Sequence, residues 1–334
     1  MTGTARIAML VCAVATSAGL AACSTGGDAG EKPTPPPTDA IGHPQPFPPA
    51  GSKTLAELRR GLGPGPRMAS SVSVLKPGRD RVAFALFDRT RRQIAETPAA
   101  LYVASADGRH VSGPFAAHYR PLTVKPPYRS RTVAGDPDSA RSIYVAAAAF
   151  PKPGRYRVLG VTRLDQRVVG GSPVTMWVRR HSSLPDVGEP APRVHTPTWE
   201  SAGGRVEEID TRNPPGTMHG EDLADVLGKR PVMLLFASPG LCRSRTCGPV
   251  ADVMEQLKAE RGDQAAFIHV EIFNGNRPEM GERPQVRAYG LPSQPWLFAI
   301  DRRGRVAARI EGAFSLDEAE AALRAAVAGA GARK

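Results

Sequence analysis

Between residues 69 and 180, short apolar runs alternate with turn-forming residues. Ser71–Leu75, Arg81–Phe87, Ala100–Ala104, Ser142–Phe150, Arg155–Thr162 and Pro173–Val178 supply the runs. Pro77-Gly78, Asp107-Gly108, Gly135-Asp136-Pro137 and Pro153-Gly154 punctuate them. Short strands with repeated turn signals predict an antiparallel β-sandwich over 69–180. From residue 205 the pattern becomes mixed α/β. Val206–Asp210 reads as a strand, Gly220–Leu227 as a short helix, and Val232–Ala237 as a buried strand. Val250, Val253, Met254 and Leu257 share one helical face. Ala265–Ile272 is the next strand. Trp296–Ile300 and Arg305–Ile310 form a hairpin around Asp301-Arg302-Arg303-Gly304. Leu316–Val327 is a terminal helix, with Ser315 and Glu318 spaced as a capping box.

Proline-rich stretches separate these parts. Eight prolines from Pro33 to Pro49 predict an extended polyproline tether over 24–68, in which Leu55-Ala56-Glu57-Leu58 could form one helical turn. Pro185 to Pro197 mark a linker over 181–204, ahead of a last domain at 205–334. Residues 1–23 read as an export signal: Arg6 is followed by an uncharged run, Ile7 to Ala22, too short for the roughly 20 residues of a spanning helix. Leu20-Ala21-Ala22-Cys23 resembles the bacterial lipobox. That resemblance implies lipid attachment at Cys23 and a chain anchored to the membrane on its extracytoplasmic side. The alternative is an ordinary secretory signal. Cys12 lies within the leader and would be lost with it.

The 41% hydrophobic content suffices for packed cores, and 334 residues suggest two domains. The net charge of +12 is uneven. Lys and Arg against Asp and Glu number 20 and 10 over residues 69–204, but 18 and 18 over 205–334. The excess therefore sits in the middle domain, where an anionic lipid or envelope polymer is a candidate partner and an ordinary solvated surface the simpler explanation. No nucleic-acid motif is present, and nucleic acid is not an expected partner.

Export permits a disulfide. Cys242 and Cys247 stand in Cys242-Arg243-Ser244-Arg245-Thr246-Cys247-Gly248-Pro249, straight after the Val232–Ala237 strand. In one α-helix their Cα atoms would lie about 7.5 Å apart, beyond the usual limit of about 7 Å. Pro249 suits a first helical turn, so the helix should open near Gly248 and leave Cys242 in the loop. A disulfide is then feasible. At the helix mouth, unpaired amides favour a thiolate on Cys247, and Arg243 and Arg245 push the same way.

The last domain resembles the thioredoxin-like fold of exported, membrane-anchored proteins. The resemblance rests on Gly228-Lys229-Arg230-Pro231-Val232 before Leu235-Phe236-Ala237, on Cys247-Gly248-Pro249, and on Tyr289-Gly290-Leu291-Pro292-Ser293-Gln294-Pro295-Trp296. It implies a cis bond at Pro295 facing the cysteines. Pro295 would then be the wall against which a substrate strand docks, with Gly248, Pro249, Gln294 and Trp296, and Met218 as a weaker addition, as candidate groove residues. The run Phe150 to Val158 resembles a hairpin of bacterial immunoglobulin-like domains. The sequence also departs from the thioredoxin pattern. Val250 stands where the family's second cysteine would be, and Leu235 where thioredoxins often carry a buried aspartate.

These readings give a multi-domain chain: an immunoglobulin-like antiparallel β-sandwich followed by an α/β thioredoxin-like domain. The leading function is thiol–disulfide exchange on envelope proteins, with Cys247 as nucleophile and Cys242 as resolving thiol. The competing reading is a binding or scaffold lipoprotein with a structural Cys242–Cys247 bridge. A peroxidase would need a proline one place nearer than Pro239. A copper carrier would add a histidine such as His269 to the two thiols. The expectation is no cofactor and no metal.

Overall fold

The computed structural model describes residues 47–329. The leader, Cys12, Cys23 and the tether up to residue 46 lie outside them. Among the described residues, no helix is long and apolar enough to cross a membrane.

The first part begins with helix α1 (Leu55–Arg60) and strands β1 (Gly63–Pro64), β2 (Arg67–Ser70), β3 (Gly78–Phe87), β4 (Gln93–Ile94), β5 (Ala99–Ser105) and β6 (Ser112–Pro121). Helix α2 (Arg131–Ala134) and strands β7 (Ser142–Phe150), β8 (Gly154–Leu164), β9 (Arg167–Gly170) and β10 (Val174–Val178) complete it. Pairing is antiparallel except between β1 and β9. The ten strands form one continuously hydrogen-bonded sheet rather than two separate ones. Strand β6 makes the passage: Ala117 pairs with Ala99 of β5 and also with Ala146 of β7. The two halves face each other across a shared core. A Cβ on Gly160 of β8 would lie 3.1 Å from Met68 Sδ of β2 and 3.3 Å from Leu86 Cδ2 of β3.

Two sequence expectations change here. Ser71–Leu75 is not a strand, because the amides of Ser73 and Val74 donate to the Glu311 carboxylate instead of to a neighbouring strand. The tether does not run to residue 68. Phe47, Ala50, Leu55 and Leu58 are buried against Tyr102 and Leu159, so packed structure is already present at residue 47.

The second part contains α3 (Leu223–Val226), β11 (Val232–Phe236), α4 (Cys247–Arg261), β12 (Ala266–Val270), α5 (Pro284–Ala288), β13 (Trp296–Ile300), β14 (Val306–Glu311) and α6 (Leu316–Ala328). The sheet order is β12-β11-β13-β14. β11 runs parallel to β12, and β13 is antiparallel to both of its neighbours. The Ser315–Glu318 capping box forms as expected. Val206–Asp210 is not a strand but a 3₁₀ turn at Val206–Glu208. The 181–204 stretch is no free linker. Leu184 and Ala191 are buried, and Gly188 and Ala191 donate to the carbonyls of Val306 and Gly304.

The two parts share a core, and the described residues fall in one compact unit. Helix α4 shows the consequence. Its apolar face packs on the sheet as the periodicity predicts, yet Asp252, Glu255 and Gln256 are buried too. The first part covers that face and supplies partners for two of the three: Ser130 N donates to Asp252 Oδ2 at 2.9 Å, and Lys125 N to Gln256 Oε1 at 2.8 Å. Thr217 N donates to Glu255 Oε1 at 2.8 Å. Burying these groups unpaired would cost several kcal/mol each, roughly. The donors are therefore a condition of the packing.

Candidate redox site

Strand β11 ends at Phe236, the chain loops through residues 237–246, and α4 opens at Cys247 with Pro249 in its first turn. Cys242 and Cys247 are joined in a disulfide, with their Cα atoms 5.9 Å apart. Cys247 is fully buried and Cys242 is 7% exposed. Gln294–Pro295 is a cis peptide, as the sequence resemblance implied. It faces the disulfide: Gln294 Oε1 accepts from Ser238 N at 3.0 Å and stands 3.4 Å from Cys247 Sγ. On the other side Cys242 Sγ lies 3.1 Å from Ser244 Oγ.

Two hollows reach the bridge, and Cys242 lines both. One is apolar in part, bounded by Leu241, Arg243, Phe273, Pro278 and Gln294. The other is closed on its far side by the first part of the chain, through Thr132, Val133 and Asp136, with Gly248 and Pro249 on the near side. A Cβ on Gly248 would meet Val133 Cγ2 at 3.0 Å, so only glycine fits easily between helix and cover. Arg245, in a left-handed conformation at φ 59°, donates to Asp136 Oδ2 at 2.7 Å, and its carbonyl accepts from Ala140 N.

Several predicted residues are thus gathered: Cys242, Cys247, Gly248, Pro249, Gln294 and Pro295. Others take different roles. Trp296 is 2% exposed and stacks on Phe298, with its indole N–H donating to Ser293 Oγ; it belongs to the core and not to a groove. Met218 is likewise buried. Arg245 is engaged by Asp136, while Arg243 remains exposed beside Cys242. Cys242 is the more exposed residue of the pair.

Sequence reasoning did not anticipate a buried polar cluster behind the loop. Asp210, His219 and His269 are all at most 3% exposed. Asp210 Oδ2 is 3.1 Å from His219 Nε2 and accepts from Gly216 N, while Oδ1 accepts from Arg212 N. Burial alone would raise the Asp210 carboxyl, but the His219 hydrogen bond and the two imidazoles outweigh it and hold it at about 2. Glu271, two residues past His269, is buried, and desolvation raises its carboxyl above the ordinary value. Its Oε1 accepts from Thr211, and its Oε2 has no hydrogen-bond partner.

No protein-family model matches the chain, and no curated protein matches it. Among solved structures it is similar to a Chlorobium tepidum protein assigned as thiol:disulfide interchange protein DsbE. That match has 20% identity and a TM-score of 0.30, and covers 43% of this chain and 99% of that one. A second is a thiol:disulfide interchange protein of the thioredoxin family from Chlorobium tepidum TLS, at 18% identity and TM-score 0.30, covering 41% and 95%. A third is the Lin-41 filamin domain, at 16% identity and TM-score 0.18, covering 35% and 99%. The assignment of the second part rests on its own topology. A parallel β11-α4-β12 unit, an antiparallel β13-β14 hairpin, a closing helix, and a cis-proline facing a cysteine at a helix mouth occur together. The second part has a thioredoxin-like fold. Its disulfide joins the loop after β11 to the mouth of α4, with a Cys-x4-Cys spacing.

Proposed function

We propose that the protein carries out thiol–disulfide exchange through Cys242–Cys247. The observation that carries this reading is the position of the bridge: Cys247 at the mouth of α4, Gln294–Pro295 against it, and Cys242 turned toward both hollows. A partner thiolate attacks Cys242 Sγ. The intramolecular S–S bond breaks, and Cys247 leaves as a thiolate favoured by the helix N-terminus. A second partner thiolate then attacks the mixed disulfide, releasing reduced Cys242 and an oxidised partner. Two electrons pass to the pair, and the reverse sequence reduces a partner.

In this reading the chemistry takes place outside the cytoplasm, on a lipid anchor at Cys23, with exported thiol or disulfide proteins as substrates; the lipobox-like Leu20-Ala21-Ala22-Cys23 supports it. The first part serves as an immunoglobulin-like module that walls one side of the site, and its excess of Lys and Arg suits an anionic surface. The second reading, a permanent staple in a binding or scaffold protein, is favoured by the burial of Cys247. Equilibration of the full chain with defined glutathione ratios, read by mass after alkylation, separates the two. A reversible transition above about −300 mV, lost in Cys247→Ser, supports exchange. A bridge that stays closed below that potential makes it a staple.

A further inference from the structure

The geometry points to a metal site: we propose that Asp210, His219 and His269 together bind one divalent transition-metal ion of the zinc class. The three residues come from different segments, yet one donor atom from each lies within 4.8 Å of the others, in a fully buried position. Two nitrogens and a carboxylate oxygen form a donor set suited to zinc.

The surroundings orient Asp210 and His269, while the buried Nδ1 of His219 has no hydrogen-bond partner. His269 Nε2 lies 2.9 Å from the carbonyl oxygen of Ala237, which can only accept, so that nitrogen carries the proton. The Nδ1 of a neutral His269 then presents a lone pair, 3.9 Å from Asp210 Oδ1. A ligating histidine fixed through its other ring nitrogen by a backbone carbonyl is the usual arrangement at metal centres. Amides of Arg212 and Gly216 hold the Asp210 carboxylate, and Trp199 closes over His219, their ring centroids 5.1 Å apart. His219 Nε2 and Asp210 Oδ2 share a proton at 3.1 Å; an ion takes its place, so binding releases that proton and leaves both atoms as ligands. With one donor atom of each residue within 4.8 Å of the others, side-chain shifts of about an ångström or less bring all three to about 2.0–2.2 Å from one ion.

The full chain, with its disulfide closed and its other thiols alkylated, is stripped with chelator, dialysed against zinc chloride and assayed by elemental mass spectrometry and thermal melting. One zinc per chain and a raised melting temperature are expected, with zinc affinity at least ten-fold weaker in His219→Gln and in His269→Gln. Cobalt substitution should give the visible absorption of a low-coordinate ion without a thiolate charge-transfer band, a reading that needs no variant to fold. A folded wild-type chain that retains no zinc overturns the proposal, as do His variants that bind zinc like wild type or a cobalt spectrum carrying the thiolate band.

Discussion

Arg212 donates through Nε to Asp252 Oδ1 at 2.9 Å, with the two side chains 7% and 1% exposed. Arg212 also donates to the Tyr128 carbonyl, and Asp252 accepts from Ser130. One ion pair of the thioredoxin-like part thus fastens a loop of the sheet domain onto α4. Removing one partner strands the other charge in the interface. Asp252→Ala should cost about 3–5 kcal/mol, the range for breaking a buried pair and far above the effect of a surface one. Urea denaturation checks this. A loss below about 1 kcal/mol would mean that water reaches Arg212 and the two parts are less firmly joined.

A glycine makes a second joint. Gly312 has φ 75°, donates to the Pro295 carbonyl, and lies so close to Ser71 that a Cβ would collide with the Ser71 carbonyl oxygen. Gly312→Ala therefore meets an unfavourable backbone conformation and a backbone clash together. The expected loss is at least about 2–3 kcal/mol, read from the melting temperature. Because Gly312 also holds the segment facing Cys247, the bridge should become easier to reduce in the same variant.

Much of this was legible in the sequence where local pattern decides the outcome. The Ser142–Phe150 run is β7 residue for residue, and the apolar run of β11 and the capping box of α6 formed as read. The Cys-x4-Cys loop likewise announced itself by spacing. What escaped depends on which surface covers which. Nothing in α4 states that Asp252 and Gln256 would be buried, because their donors Ser130 and Lys125 lie more than a hundred residues away. Asp210, His219 and His269 met only after the chain returned through Asn213-Pro214-Pro215 to lay Met218 beside β12. The one signal available was two histidines close to apolar segments, in a chain with 7.

The stretch from Leu184 to Thr196 is held at one end by His195, whose Nδ1 lies 2.6 Å from Asp222 Oδ2 at the N-cap of α3. That hydrogen bond, helped by the charge of Asp222, raises the imidazole above its ordinary 6.5. A raised folded-state value adds stability that is fully present below the unfolded value and is lost as pH rises through the folded one. With the ring 86% exposed, solvent screening keeps the gain small, so the titration itself is the measurement. Histidine NMR should place His195 above 6.5 in the wild type and return it toward that value in Asp222→Asn. An unshifted wild-type resonance would show that the pair does not persist in solution.

Asp136 and Arg245 line the hollow that reaches Cys242, so their pair should bear on approach to the disulfide more than on stability. Their side chains are 21% and 52% exposed, so the 2.7 Å pair should contribute no more than about 1 kcal/mol to folding. Yet Arg245 lies between the two cysteines, and Asp136 follows directly on the α2 turn that presses Val133 against Gly248. Asp136→Ala releases the loop from its cover and frees a guanidinium beside the sulfurs. Both changes favour attack by an anionic thiolate: the first by opening a path to Cys242, the second by stabilising charge as Cys247 leaves. Reduction by a small thiol such as glutathione should accelerate several-fold at low salt, with the melting temperature almost unchanged. The gain should shrink toward high ionic strength to the extent that freed charge causes it, and persist to the extent that opening does. An unchanged rate at every salt concentration would mean that the partner reaches Cys242 only from the Phe273 side, and that the sheet domain does not gate the site.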